Sequence, residues 1–175
     1  MSLRLEALMV RLERGSSRLY GVMLMLAAVV LLADQLTKLW AVSALSVSER
    51  VAVIPPLIHF RLLYNPGAAF SIGAGATWAF TLAAAAAVVG IVYTARRLAS
   101  VGWALVLGAM LGGAVSHLGD RLFREPGFAR GHVVDFIDYG LFVGNVADIA
   151  LFCGCVALIL LSMRGVQLAG RTTRS

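Results

Sequence analysis

Four apolar runs, each about as long as a bilayer is thick, decide what this chain can fold into. They lie near Leu19–Trp40, Trp78–Tyr93, Val101–Leu118 and Val146–Met163, and a helix needs roughly 20 residues to cross hydrocarbon. With their connections, four such spans consume nearly all of the 175 residues, which leaves room for one small bundle and no second domain. The mean hydropathy is +0.87. Only 14% of the residues are charged, too few to give a water-soluble globule a polar surface. The expected fold is an all-α integral membrane protein, with residues 19–163 forming the four-span unit.

The flanks carry the orientation signals. In residues 3–18, Leu5, Leu8, Met9 and Leu12 recur at helical spacing, with Arg4, Arg11, Arg14 and Arg18 at other positions. Residues 1–18 therefore read as a basic amphipathic helix at the interface, and 164–175 as a basic tail. A cleaved signal peptide fits less well. The first apolar run leads into Asp34-Gln35 and Lys38 without a small-x-small cleavage site, so the first span is retained.

The net charge of +6 does not point to nucleic acid, because the basic residues sit at the ends of apolar runs and form no stripe interleaved with aromatics. Four spans place both termini on one side. That side holds nine basic residues, including Arg96, Arg97 and Arg164, against Glu6 and Glu13, so it is cytoplasmic by the positive-inside rule. The other seven acids then face outward: Asp34, Glu49, Asp120, Glu125, Asp135, Asp138 and Asp148.

Between the first two spans, Val51-Ala-Val-Ile-Pro and His59-Phe-Arg-Leu-Leu-Tyr are β-favouring stretches bounded by Pro and Gly. They predict two or three short strands forming a small platform on the outer, extracytoplasmic surface. In the third span Ala104, Gly108, Gly112 and Ser116 recur at a four-residue step that ends at Asp120. Such a stripe lets another helix approach closely and leads it to a carboxylate. Cys153 and Cys155 stand two apart in an apolar run, where a helix turns them about 200° from each other. Neither a mutual disulfide nor a metal site follows from them.

A carboxylate near hydrocarbon costs a few kcal/mol on insertion scales, so each boundary acid is a functional candidate. Asp34 has a structural reading as the i, i+4 partner of Lys38. Asp120 with Arg121 reads as an interfacial charge pair that sets helix depth, with a supporting contact to the site as the alternative. Asp135 lies in Gly131-His-Val-Val-Asp-Phe-Ile-Asp-Tyr139, too short to span and too apolar for a free loop, and its structural and functional readings stand level. Asp138 reads as a solvated helix-face partner. Asn145 and Asp148 resemble a helix capping box, a device that can also keep the Asp148 carboxylate ionised.

Two aspartates at one membrane face suggest a pair that shares a proton, one activating water while the other polarises a carbonyl. Spacing alone does not pair them. No Ser stands in a nucleophile-elbow setting, both cysteines lie deeper than Asp148, and the HExxH zinc motif is absent from the sequence.

Five ordered segments resemble the lipoprotein signal peptidase (signal peptidase II) family: Asp34-Gln-Leu-Thr-Lys38, Asn65-Pro-Gly-Ala-Ala-Phe-Ser71, Gly112-Gly113 through Asp120-Arg121, Gly131-His-Val-Val-Asp-Phe-Ile137 and Asn145-Val-Ala-Asp148. The resemblance implies an aspartyl endopeptidase of the bacterial inner membrane that cuts prolipoproteins before a diacylglyceryl-modified cysteine. It implies Asp135 and Asp148 as the catalytic dyad. Asp34, Lys38, Asn65, Gly67, Asp120, Arg121 and Asn145 would shape or support the site. It also implies that no metal or organic cofactor is needed, with membrane lipid and the lipidated preprotein as partners and a monomer as the working unit.

Two departures from the family pattern stand out. Ser116-His117 replaces the usual Gly-Asn, which leaves His117 able to make one substrate hydrogen bond, and Gly144 replaces the aromatic that commonly precedes Asn-x-Ala-Asp. The stretch Leu122–Arg130 is long for the family and is read as a lid. The competing functions are a proton-coupled transporter subunit, disfavoured because the acids cluster at one face, and a non-catalytic membrane scaffold, which the small-residue helix faces would also suit.

Overall fold

All four apolar runs are helical in the computed structural model, which describes residues 2–67 and 76–169, with the backbone alone over 2–16. The helices are α1 (Ser2–Ala44), α2 (Thr77–Ala95), α3 (Val101–Phe123) and α4 (Val146–Met163). Each contains a stretch long and apolar enough to cross a membrane. The first run and the segment before it form one unbroken helix, and the side-chain faces of residues 3–16 lie outside the described residues. Large apolar side chains such as Leu24, Leu32 and Leu36 point outward, the arrangement a bundle adopts when hydrocarbon is its solvent.

Helix α3 is the hub, packed against α1, α2 and α4. Its small-residue stripe is what admits α1: a Cβ on Gly112 would come within 2.5 Å of the Ala27 carbonyl oxygen and 2.7 Å of Val30 Cβ. Any larger residue there would force the two helices apart. At the end of the same stripe the Ser116 hydroxyl donates to Asp34 Oδ2 at 2.6 Å.

The sequence reading ended this span at Leu118, with Asp120 and Arg121 at its exit. The helix instead continues to Phe123 and buries both residues. It can do so because partners from other elements surround both charges.

The strands β1 (Val51–Ile54), β2 (Ile58–Asn65), β3 (Val133–Asp138) and β4 (Val143–Gly144) form one antiparallel sheet in the order β1-β2-β3-β4. The first two occupy the stretches expected between the first two spans. The third explains the apolar segment around Asp135: it is a central strand covered on both faces, and Val133, Val134 and Phe136 are all buried. Phe60 and Phe136 pack with Trp40 of α1 at centroid distances of 5.3 and 6.1 Å, tying the sheet to the end of that helix.

Strand periodicity turns Asp135 away from this aromatic cluster. Asp138 is not a solvated helix residue. It lies buried at the end of β3, takes the Arg50 guanidinium at 2.8 Å and accepts from Gly140 N at 2.7 Å.

Candidate active site

Two groups of carboxylates sit at the same end of the bundle. The first is built on Lys38, whose side chain is fully buried. Its ammonium lies 2.5 Å from Asp34 Oδ2 and 2.7 Å from Asp120 Oδ2. Arg124 Nε donates to the other oxygen of Asp120 at 2.7 Å, and Gln35 donates to it at 3.0 Å. Two cations thus meet two anions, and hydrogen bonds fill the remaining positions, the condition under which buried charge is tolerable.

Asp120 does not pair with Arg121, contrary to the interfacial-pair expectation, because adjacent helix residues point about 100° apart. Arg121 instead reaches the backbone carbonyls of Asn65, Pro66, Gly67 and Gly131, with its guanidinium 5.5 Å from the Phe80 ring centroid. It clamps the chain that leaves β2 to the chain that enters β3.

The charge cluster positions other elements as well. Asp34 Oδ1 accepts from Ala147 N at 2.8 Å, satisfying a first-turn amide of α4 that has no partner within its helix. Asp120 Oδ2 lies 3.4 Å from Val134 N, next to Asp135 on β3.

The second group is centred on Asn145. As N-cap of α4 it forms a full capping box: its side-chain oxygen accepts from Asp148 N at 3.0 Å, and its own N–H donates to Asp148 Oδ2 at 2.9 Å. With the amide oxygen so engaged, the amide nitrogen must point the other way, and it donates to Asp135 Oδ1 at 2.6 Å. One side chain therefore touches both aspartates. Asn65 completes the hold on Asp135, giving Nδ2 to Oδ2 at 2.9 Å while its oxygen accepts from Gly67 N at 3.0 Å in an Asx turn. His117 Nε2 lies 3.0 Å from Asp148 Oδ1. Gly144 leaves room for this carboxylate, since a Cβ there would come within 3.0 Å of Asp148 Oδ2.

Asp135 and Asp148 open into one cavity of about 940 Å³, with Asn65, Gly67, His117 and Arg121 in its lining. Much of the rest of its lining is apolar, including Phe80, Ala84 and Ala87 of α2 and Ile149 and Phe152 of α4. The two acids are unequal. The Asp135 side chain is 2% exposed and that of Asp148 is 41% exposed. Burial, and then the Asp148 charge, push the Asp135 carboxyl up to about 6, against the pull of the Asn65 and Asn145 amides and the His117 charge. The Tyr139 hydroxyl, whose ring also lines the cavity, is raised by burial and then by Asp148.

The sequence-derived residues thus fall into two sets. Asn65, Gly67, His117, Arg121, Asp135, Asn145 and Asp148 meet at the cavity, whereas Asp34, Lys38 and Asp120 form the dry cluster behind it. The lid expected over 122–130 is not seen. That segment folds back on the bundle through Thr81 Oγ1 to Ala129 O, His132 N to Glu125 O and Gly131 N to Arg121 O, and none of its residues lines the cavity. The sequence reading gave no role to Gln35 or Tyr139. Gln35 had a signal, a second polar residue beside Asp34 in an apolar run, and it donates to Ser116 and Asp120. Tyr139 had none beyond its place in the Asp135 segment.

The family described as signal peptidase (SPase) II matches residues 26–164. A lipoprotein signal peptidase of Leifsonia xyli subsp. xyli is 43% identical over 159 residues, covering 88% of this chain and 74% of that protein. One from Rhodococcus jostii is 46% identical over 143 residues, covering 81% and 72%. A bacterial membrane enzyme solved by the in meso method at 2.3 Å resolution shares the fold, with a TM-score of 0.74 at 23% identity over 89% of this chain and 95% of that one.

Proposed function

Because the chain belongs to the signal peptidase II family, and is thus a membrane protease that removes signal peptides from prolipoproteins, we propose that Asp135 and Asp148 perform the hydrolysis. The observation that carries this assignment is the single residue Asn145 bonded to both carboxylates, by its side-chain amide to Asp135 and by its backbone N–H to Asp148, beside a cavity with a largely apolar lining.

The two acids share one proton, which rests on the more buried Asp135. Asp148, at the amino end of α4, is ionised and takes a proton from a water lying between the pair. The resulting hydroxide attacks the carbonyl carbon before the lipidated cysteine, while Asp135 gives its proton to the carbonyl oxygen, producing a tetrahedral diol. On collapse the C–N bond breaks. Asp148 passes its proton to the departing amine and Asp135 recovers one from a diol hydroxyl, so one water is consumed and the resting pair is restored.

The apolar wall of α2 and α4 suits a signal helix and acyl chains that stay in hydrocarbon while the peptide bond reaches the acids. The charge balance of the flanks supports cytoplasmic termini and a site near the extracytoplasmic face of the cytoplasmic membrane. The sheet then forms the outer platform that holds the substrate peptide.

The test is cleavage of a diacylglyceryl-modified preprolipoprotein in detergent, with chelator present and a gel shift as readout. Wild type should cut, while Asp135→Asn and Asp148→Asn should not. Near wild-type cleavage by either variant would refute the assignment.

A further inference from the structure

His117 is the cavity's third ionisable group in contact with the reacting pair. Its Nε2 lies 3.0 Å from Asp148 Oδ1, and Asn145 N holds the other oxygen at 2.9 Å. The Asp148 carboxylate is thus met at each oxygen by one partner, one a backbone amide of constant charge and the other an imidazole, which can carry a proton. Asp135 is held by two side-chain amides, neither of which titrates.

The titratable groups that share the cavity with His117 are Asp148 from α4, Asp135 from β3, Arg121 one turn further along α3, and Tyr139 beyond β3. The α2 wall presents Phe80, Ala84 and Ala87, and the α1 charges are taken up by Lys38 and Asp120. The ring is 18% exposed, on the cavity side, so water reaches it.

We propose that His117 is a positioning residue that orients Asp148 and, when protonated, holds the aspartate pair in its singly protonated form at lower pH than the pair alone would allow. An imidazole is a side chain suited to this, because it can donate to a carboxylate in its neutral form and can also take up a proton. The neutral Nε2–H tautomer still donates to Oδ1, so orientation is kept when the charge is lost. The imidazolium adds a positive charge beside two acids, which favours their ionised forms.

The inference rests on the assignment of Asp148 to the reaction, and its test separates the two. The kcat/KM of wild type, His117→Asn and His117→Gln is measured from pH 4.5 to 8.5 on the lipidated preprotein in detergent, with Asp148→Asn in parallel and folding followed by thermal melting. An amide keeps the donor and cannot titrate. Gln Nε2 reaches about as far as the imidazole Nε2 and Asn does not, so the Gln variant should lose less activity than the Asn variant at every pH, while the acid limb of the Gln variant moves up by roughly one pH unit.

Acid limbs that coincide with wild type, or a constant loss at every pH, would overturn the inference and leave the dyad standing. An active Asp148→Asn variant would overturn both.

Discussion

The two carboxylate clusters share one end of the bundle and differ in what neutralises them. Around Lys38, each acid meets a cation within 2.7 Å and the group is sealed. Around Asn145, two acids meet amides, an imidazole and a cavity, and neither forms an ion pair with a lysine or arginine among the described residues. A buried ion pair whose valences are filled has no proton to give and no room for a reactant. A pair of acids held by neutral donors in a partly wet cavity must share a proton, and that is reactivity. Charge compensation, more than burial, separates the scaffold aspartates from the pair we assign to the reaction.

The sharpest way to break this comparison is to remove one charged group from each cluster, an acid from one and the shared cation from the other. Asp148→Asn should lower cleavage by about 10³-fold or more, since positioned acid–base groups contribute on the order of 10²–10⁴, with little change in melting temperature. Lys38→Met should do the reverse in kind, leaving Asp34 and Asp120 buried without their shared cation and destabilising the fold by about 3–5 kcal/mol. Unfolding in mixed micelles would read this. A Lys38→Met variant that melts like wild type would show that the cluster is not the structural half of the pair.

Stability against pH sharpens the contrast further. The folded Asp135 carboxyl titrates at about 6 against an ordinary 3.8, so the folded state binds its proton more tightly than the unfolded chain does. Its contribution is therefore fully present below pH 3.8 and is lost as pH rises through 6, a swing of about 3 kcal/mol. The unfolding free energy of Asp135→Asn minus that of wild type should rise by most of this amount, about 2 kcal/mol, between pH 4 and 7. A flat difference would place the shared proton elsewhere.

Asn145→Ala removes a hydrogen bond to a charged group, for which about 1.5–3 kcal/mol is usual. Cleavage should fall by roughly 10- to 150-fold, while loss of the cap lowers stability by only about 1 kcal/mol. The smallest effect belongs to Arg50→Ala. Its guanidinium is 46% exposed where it meets Asp138, so stability should change by less than about 1 kcal/mol and cleavage hardly at all.

The sequence made much of this legible because hydrophobic run length and capping are local. The start of α4 at Val146 and the Asn145–Asp148 box needed only four consecutive residues. The Gly112 stripe foretold a close helix, though not that α1 would fill it. What stayed hidden depends on partners far along the chain. Asp120 and Arg121 looked like a helix end because nothing local shows that Lys38, 82 residues away, neutralises one or that four carbonyls absorb the other. Asp138 looked solvated because its strand and its Arg50 partner are visible only once β2 and β3 pair. His117 stood out as a departure from the family pattern, and only the fold brings it to 3.0 Å from Asp148, one of the two acids we assign to the reaction.

The Lys38 cluster also bears on how such a chain is assembled during synthesis. A helix carrying Asp120 alone enters a bilayer against a penalty of about 2.5–3.5 kcal/mol at its centre, less near its end. Helix α1 brings its own counter-ion four residues from its acid, so it can enter as a nearly neutral unit and keep one ammonium donor for later. When α3 arrives, that donor receives Asp120, and Asp34 still has an oxygen for the first turn of α4. The order in which the ribosome delivers the helices is thus also the order in which each finds its charge partner waiting. A circular permutant that released α3 before α1 would have to insert it unaided.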